Sequence, residues 1–211
     1  MMEITPKILR KLLTKKYRQE FSLCILEGEK IIADHQDLVV KIFSEDSLKN
    51  LENYHGRVAV ARIPEPTTPT TPFLVLDRIQ DPGNMGTLLR TALAFGFKTV
   101  YTIDCVDPYS PKVIRASSGM ALRVNIIDTD YAHLPTDTTY YLADLHGDKP
   151  KPIIGKNFGI VLGNEGQGVN PIFYQKPHQV MTIPMEPGCE SLNVAVAGAI
   201  IMCYTHFYEW T

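Results

Sequence analysis

A chain of 211 residues with 45% hydrophobic content can bury a substantial core without covalent staples. Twenty-one Lys and Arg against 23 Asp and Glu leave a formal net charge of −2, so overall charge offers nucleic acid no attraction. The cysteines, Cys24, Cys105, Cys189 and Cys203, are scattered, without a Cys-x-x-Cys pair or histidines at zinc spacing, and no signal-like or bilayer-length apolar stretch occurs; reduced thiols, no metal and a cytoplasmic location are expected.

Near the start, Thr5 and Pro6 read as an N-cap and first helical residue, and Ile8, Leu9, Leu12 and Leu13 form an apolar stripe predicting one helix as far as Tyr17. Within residues 1–20, Lys7, Arg10, Lys11, Lys15, Lys16 and Arg18 face only Glu3 and Glu20, a local excess of four positive charges. This fits a solvated helix face and an RNA-contacting arm equally well. Short β-rich runs at 22–26, 38–43 and 57–61 alternate with helical stretches beginning near Glu29 and Glu45. The result is an α/β unit of about sixty residues, small enough to lean on the larger C-terminal part of the chain. At 63–72, Pro64, Pro66, Pro69 and Pro72 alternate with threonines and Glu65, a composition that favours extended polyproline geometry and marks a linker.

Beyond it, strand-like runs recur at 73–76, 99–103, 123–127, 139–143, 158–162 and 179–183 with helical patterns between most of them. That alternation predicts an α/β fold with a largely parallel sheet covered on both faces, whose ligands bind at the carboxyl ends of strands. The loops after Leu76, Ala143, Leu162 and Ile183 therefore carry the search for a site.

Three segments stand out. In LDRIQDPGNMGTLLRTALAFGF, residues 76–97, a strand ends in the turn 81–84. A helix follows with Met85, Leu88, Leu89, Ala92 and Phe95 on one face. Gly86, four residues before Arg90, predicts room for a ligand or a partner backbone beside the guanidinium; equally, Arg90 reads as a surface residue and Asn84 as a plain N-cap. In FGIVLGNEGQGVNP, residues 158–171, an apolar strand runs into Gly163, Gly166 and Gly168. The loop lets main chain approach a ligand, but Glu165 at its centre argues against a phosphate cradle and for a cationic or hydroxyl-bearing ligand; a plain tight turn is the other reading. In IPMEPGCESLNVAVAGAIIMCY, residues 183–204, Ser191 reads as the N-cap of a helix that is apolar on nearly every side, hence fully buried, and kept thin by Ala195, Ala197, Gly198 and Ala199. Asn193 must then find a hydrogen-bond partner.

Together, in this order, the segments resemble the SpoU/TrmH family of the SPOUT methyltransferases: Asn84, Gly86 and Arg90 match its Asn-x-Gly-x-x-x-Arg motif, and residues 163–168 its Gly-x-Glu-Gly-x-Gly loop. Ile183, Pro184 and Met185 followed by Ser191, Leu192 and Asn193 match the third motif, and DPYSPKVIRASSGM at 107–120 is similar to rRNA-modifying members. The resemblance covers about two thirds of the chain and implies a SPOUT-type parallel sheet with a C-terminal deep trefoil knot at 73–211. Before it, 1–62 would be a shortened L30e-like RNA-binding domain, joined by the linker 63–72. A homodimer is implied as well. The activity implied is ribose 2′-O-methylation of rRNA with S-adenosylmethionine and no metal. Main-chain groups of Gly163, Ile183 and Leu192, with Leu145 as a further candidate, would hold the cofactor, flanked by Asn164, Glu165, Gly166 and Asn193.

Arg90, Asn84, Glu165, Ser191 and Asn193 would form the catalytic set. Arg90 would stabilise the developing alkoxide, Asn84 and Ser191 would fix the ribose, and Glu165 would orient Arg90 or the Asn193 amide. Lys7, Arg10, Lys11, Lys15 and Arg90 would contact RNA. A tRNA ribose methyltransferase and a non-catalytic RNA-binding or ribosome-assembly protein remain alternatives. A nicotinamide-dependent oxidoreductase is disfavoured by the glycine pattern.

Overall fold

A computed structural model describes residues 3–44, 56–148, 153, 155 and 157–207; the helical stretch expected from Glu45 lies outside them. The first part builds helices α1 (Pro6–Leu12), α2 (Lys15–Phe21) and α3 (Glu29–Asp34) around strands β1 (Leu23–Glu27), β2 (Val39–Phe43) and β3 (Val58–Arg62). These strands pair antiparallel in the order β1-β3-β2.

The single helix expected over 6–17 is two. The N–H groups of Leu13 and Thr14 turn back to the carbonyls of Arg10 and Lys11, and the Leu12 carbonyl accepts from Arg18 Nη1 at 2.6 Å. Thr5 occupies the N-cap position without a side-chain capping bond. Arg18, counted with the basic surface, is buried: its guanidinium pairs with Asp107 at 2.5 Å, and the two side chains are 4% and 11% exposed. Lys7, Arg10 and Lys15 are exposed, whereas Lys11 lies partly buried over the Tyr17 ring at 4.9 Å.

One face of the small sheet buries Ile25, Val58 and Val60 against Leu9 and Leu12 of α1. Its other face buries Cys24, Leu26, Ala59 and Ala61 against Ile114 and Leu122 from the second half of the chain, so the small sheet does lean on its neighbour. Arg115 with Glu27, and Arg123 with Asp37, bridge the same junction. The proline-rich stretch between β3 and β4 carries neither helix nor strand but is pinned. Thr67 N–H donates to Asn125 Oδ1 at 2.8 Å, and Thr70 N–H to Thr99 Oγ1 at 2.9 Å.

The second part forms a six-stranded sheet from β4 (Phe73–Asp77), β5 (Thr99–Ile103), β6 (Asn125–Asp128), β7 (Thr139–Asp148), β8 (Phe158–Leu162) and β9 (His178–Met181). All neighbours are parallel, in the order β6-β5-β4-β8-β7-β9. β4, β5 and β8 are buried throughout, as strands covered on both faces must be. Leu74, Leu76, Ile160 and Leu162 face α4 (Pro82–Ala94) and α6 (Val194–Phe207), while Phe73, Val75 and Val161 pack with Tyr140 and Phe173 on the opposite side. A short helix α5 (Pro111–Ala116) packs on α4 and on β1.

Gly86 on α4 makes room for the chain's own α5 rather than for a ligand. A Cβ there would lie 2.5 Å from Ala116 Cβ and 2.7 Å from Ser117 N. Gly198 on α6 does the same for Leu88 and Leu162, both 2.6 Å from an added Cβ. The complete burial expected of α6 is not found in one chain, since Val196 and Ile200 are 49% and 42% exposed. Among the described residues no helix is long and apolar enough to cross a membrane, and no group of three or more His, Cys, Asp or Glu could hold a metal ion.

Because Asp107 loses the buried cation it pairs with, Arg18→Met should lower unfolding free energy by about 3 kcal/mol, and pairing it with Asp107→Leu should restore most of that. Urea unfolding followed by far-ultraviolet circular dichroism measures both.

Candidate active site

The strand order reverses direction between β4 and β8, and a cavity of about 640 Å³ opens at the carboxyl ends of β8 and β9 and beside residues 143–145 of β7. Leu145, Gly163, Asn164, Glu165, Gly166, Ile183, Leu192 and Asn193, the residues expected to hold a cofactor, all line it, as does Ser191. Leu162, Met181 and Ile201 give it an apolar floor.

Each wall has a local cause. Asn164 folds the glycine loop on itself: its main chain pairs with Gly168 in both directions, and its Oδ1 accepts from the N–H groups of Gly166 and Gln167 at 3.0 Å each. Gly163 permits the closure, because an added Cβ would lie 2.3 Å from the Gly168 carbonyl carbon and from Val169 N. On the opposite wall, Asn193, not Ser191, caps α6, which starts two residues later than expected; Asn193 Oδ1 accepts from the N–H groups of Ala195 at 2.9 Å and Val196 at 3.3 Å. Asn84 is likewise not a cap. Asp81 caps α4 and accepts from Asn84 N–H at 2.8 Å, so the expected turn 81–84 is already the first helical turn.

The three motif segments meet through side-chain amides. Asn193 Nδ2 donates to Asn84 Oδ1 at 2.9 Å, and Asn84 Nδ2 donates to Glu165 Oε1 at 3.0 Å. Donor and acceptor directions are forced, because the carboxylate only accepts and the α6 amides only donate. Glu165 thus orients Asn84, neither Arg90 nor the Asn193 amide directly. Arg90 stands apart: it is exposed, does not line the cavity, and donates from Nη1 to Ser118 Oγ at 3.1 Å.

Asp144, Gln167 and Glu190 also stand on the cavity wall, and none of them is among the site residues expected from sequence. Asp144 Oδ2 accepts from the Tyr174 hydroxyl at 2.5 Å and Oδ1 from His146 N–H at 3.1 Å. Burial works to raise the Asp144 pKa, but these bonds outweigh it and hold the carboxyl below its ordinary range. Burial, with the Asp144 contact added, pushes Tyr174 up to about 12. Asp144 directly precedes Leu145 where the sequence was expected to leave its strand after Ala143, which was the available signal, although β7 runs on to Asp148. Among the described residues the cavity is lined by Asp144, Glu165 and Glu190 and by no Lys, Arg or His.

A parallel α/β sheet with a glycine-looped cavity lined by carboxylates at a switch point is the form of a small-molecule site in the α/β class. The model of the SpoU rRNA Methylase family matches residues 71–203, and the chain belongs to that family. An uncharacterised tRNA/rRNA methyltransferase of Synechocystis is 37% identical over 65% of this chain, which spans 53% of that relative's length. The 23S rRNA (guanosine(2553)-2′-O)-methyltransferase RlmP of Bacillus subtilis is 28% identical, with 92% of each chain covered. A solved structure, a proposed RNA methyltransferase of the TrmH family from Porphyromonas gingivalis, superposes with a TM-score of 0.80 at 27% identity over 97% of this chain and 98% of its own.

Gly163→Ala forces main chain against main chain, so it should cost about 1–3 kcal/mol of stability. Loop amides 164–168 should lose hydrogen-exchange protection while β4 and β5 keep theirs.

Proposed function

We propose that this chain transfers a methyl group from S-adenosylmethionine to a ribose 2′-hydroxyl of ribosomal RNA. The observation that carries the reading is the amide chain joining Glu165, Asn84 and Asn193 beside the acidic cavity. The cavity fits the cofactor's chemistry: a size within the range for small-molecule sites, an apolar floor, glycine main chain at Gly163 and Gly166, and three carboxylates suited to a ligand bearing a sulfonium and an ammonium. Gly163, Ile183 and Leu192 would hold it by main chain, with Leu145, Asn164, Glu165, Gly166 and Asn193 around it. The sulfonium, when bound, supplies the methyl group.

The chain's own task is to fix the hydroxyl and to favour charge developing on its oxygen. Ser191 and Asn84 hold the ribose, and Glu165 keeps Asn84 in one orientation. Arg90, always protonated, stabilises the developing alkoxide and binds the neighbouring phosphate without itself taking the proton. Since Arg90 lies outside the cavity of its own chain, a homodimer supplies it: a second copy, docked on the exposed Val196 and Ile200 of α6, delivers its own Arg90. Family membership supports a trefoil knot in the C-terminal segment; the division 1–62, 63–72 and 73–211 follows the two sheets and the stretch between them, and a cytoplasmic location goes with the scattered free cysteines. The small sheet would be the L30e-like RNA-binding unit, with Lys7, Arg10, Lys11 and Lys15 as its phosphate contacts. Coverage of nearly all of an rRNA-modifying relative favours rRNA over tRNA.

Arg90→Ala should reduce turnover by roughly 100-fold or more in a tritiated-methyl transfer assay, with calorimetric affinity for S-adenosylmethionine unchanged. Wild-type turnover in that variant would overturn the assignment. Replacing Lys7, Arg10, Lys11 and Lys15 with Gln should make the log-affinity against log-salt slope for RNA shallower by about 3. Mapping 2′-O-methyl positions in total RNA with and without the protein identifies the substrate.

A further inference from the structure

Arg78 immediately follows β4 and lies in the first segment but outside its Asn84, Gly86 and Arg90 match, yet it touches the glycine loop at three residues. Its Nη1 donates to Gln167 Oε1 at 2.7 Å and its Nη2 to the Gly168 carbonyl at 3.0 Å, while its own carbonyl accepts from Asn164 Nδ2 at 2.9 Å. The guanidinium is itself held from beneath. Asp77, with a side chain 0% exposed, accepts from Arg78 Nε and Nη2 at 3.1 Å each. The Tyr131 hydroxyl and Asn170 N–H donate to the same carboxylate at 2.7 and 2.8 Å, so its direction is fixed. Arg78 also adopts a left-handed φ of 59°, a conformation that costs a side-chain-bearing residue of order 1 kcal/mol and persists only where surroundings impose it.

We propose that Arg78 is a positioning residue for cofactor binding: braced on buried Asp77, it clamps Gln167 and Gly168 and so holds the glycine loop in the shape that accepts S-adenosylmethionine. The inference rests on the cofactor assignment under Proposed function. The loop cannot supply this rigidity alone. Its internal bonds all return to Asn164, so they fix its fold but not its position on the sheet. Position comes from two sides: Glu165 ties the loop to Asn84 on α4, and Arg78 joins it to the end of β4 and, through the Asp77 carboxylate they share, to Asn170 in the chain beyond the loop.

The test pairs two substitutions. Arg78→Gly removes the guanidinium while relaxing the left-handed backbone, and Gln167→Ala removes one loop partner without disturbing Asp77. Arg78→Gly should weaken S-adenosylmethionine binding by about tenfold or more, the scale of lost hydrogen bonds to a charged group. Gln167→Ala should weaken it less, and the double variant no more than Arg78→Gly alone. The KM for RNA should stay near wild type while the KM for S-adenosylmethionine rises, a split that general destabilisation would not produce. Unchanged cofactor affinity in both single variants, or a rise in RNA KM alone, would overturn the proposal; the latter would make Arg78 an RNA contact.

Hydrogen exchange of the Gly166, Gln167 and Gly168 amides without ligand keeps the two readings apart. Faster exchange in Arg78→Gly supports the clamp even if the wild type binds no S-adenosylmethionine, in which case the cofactor assignment fails by itself. Unchanged exchange there rejects the clamp.

Discussion

Glu165, Asn84 and Asn193 come from three elements far apart in the chain, and two hydrogen bonds between their side chains hold them in one line. Because α6 presents only donors at its first turn and Glu165 presents only acceptors, neither asparagine can turn over without leaving a donor facing a donor or an acceptor facing an acceptor. The line therefore ties the N-terminus of α6, the first turn of α4 and the glycine loop into one arrangement. The cavity walls depend on it: the loop on one side and residues 190–194 on the other each contain a member of that line.

Much of this was legible in the chain. β-rich runs such as residues 99–103 and 158–162 became β5 and β8 at the expected bounds, since a strand covered on both faces is built mainly of apolar and β-branched residues and ends where turn residues begin. The residues expected to hold a cofactor were named through the family resemblance, and the structure gathers them at one cavity. Features set by distant contacts were not legible. The break between α1 and α2 has no Gly or Pro to announce it; it coincides with Arg18 turning to Asp107 and the Leu12 carbonyl, the first of them a partner 89 residues away. Ser191 and Asn193 are both good caps, and only the proximity of Asn84 makes Asn193 the one used. The polar end of β7 reads as loop, yet its pairing with β9 resumes at Asp148 after a bulge.

Gly86 shows how a spacing argument can name the right residue for the wrong neighbour. The missing side chain beside Arg90 does mark a close approach, but what approaches is the end of α5. The same turn carries Ser118, which takes the Arg90 hydrogen bond, so the packing that demands glycine at position 86 also determines where that guanidinium rests.

The proline-rich stretch is usually imagined as a tether allowing two modules to drift. Here Thr67 and Thr70 are stitched to Asn125 on the edge strand β6 and Thr99 on its neighbour β5, and the small sheet rests on Ile114 and Leu122. A basic surface mounted on such a frame cannot search for its target by swinging on a leash. It stands at a fixed offset from the cavity, so any backbone it gripped would reach the cavity at a distance the protein itself sets, as a ruler does.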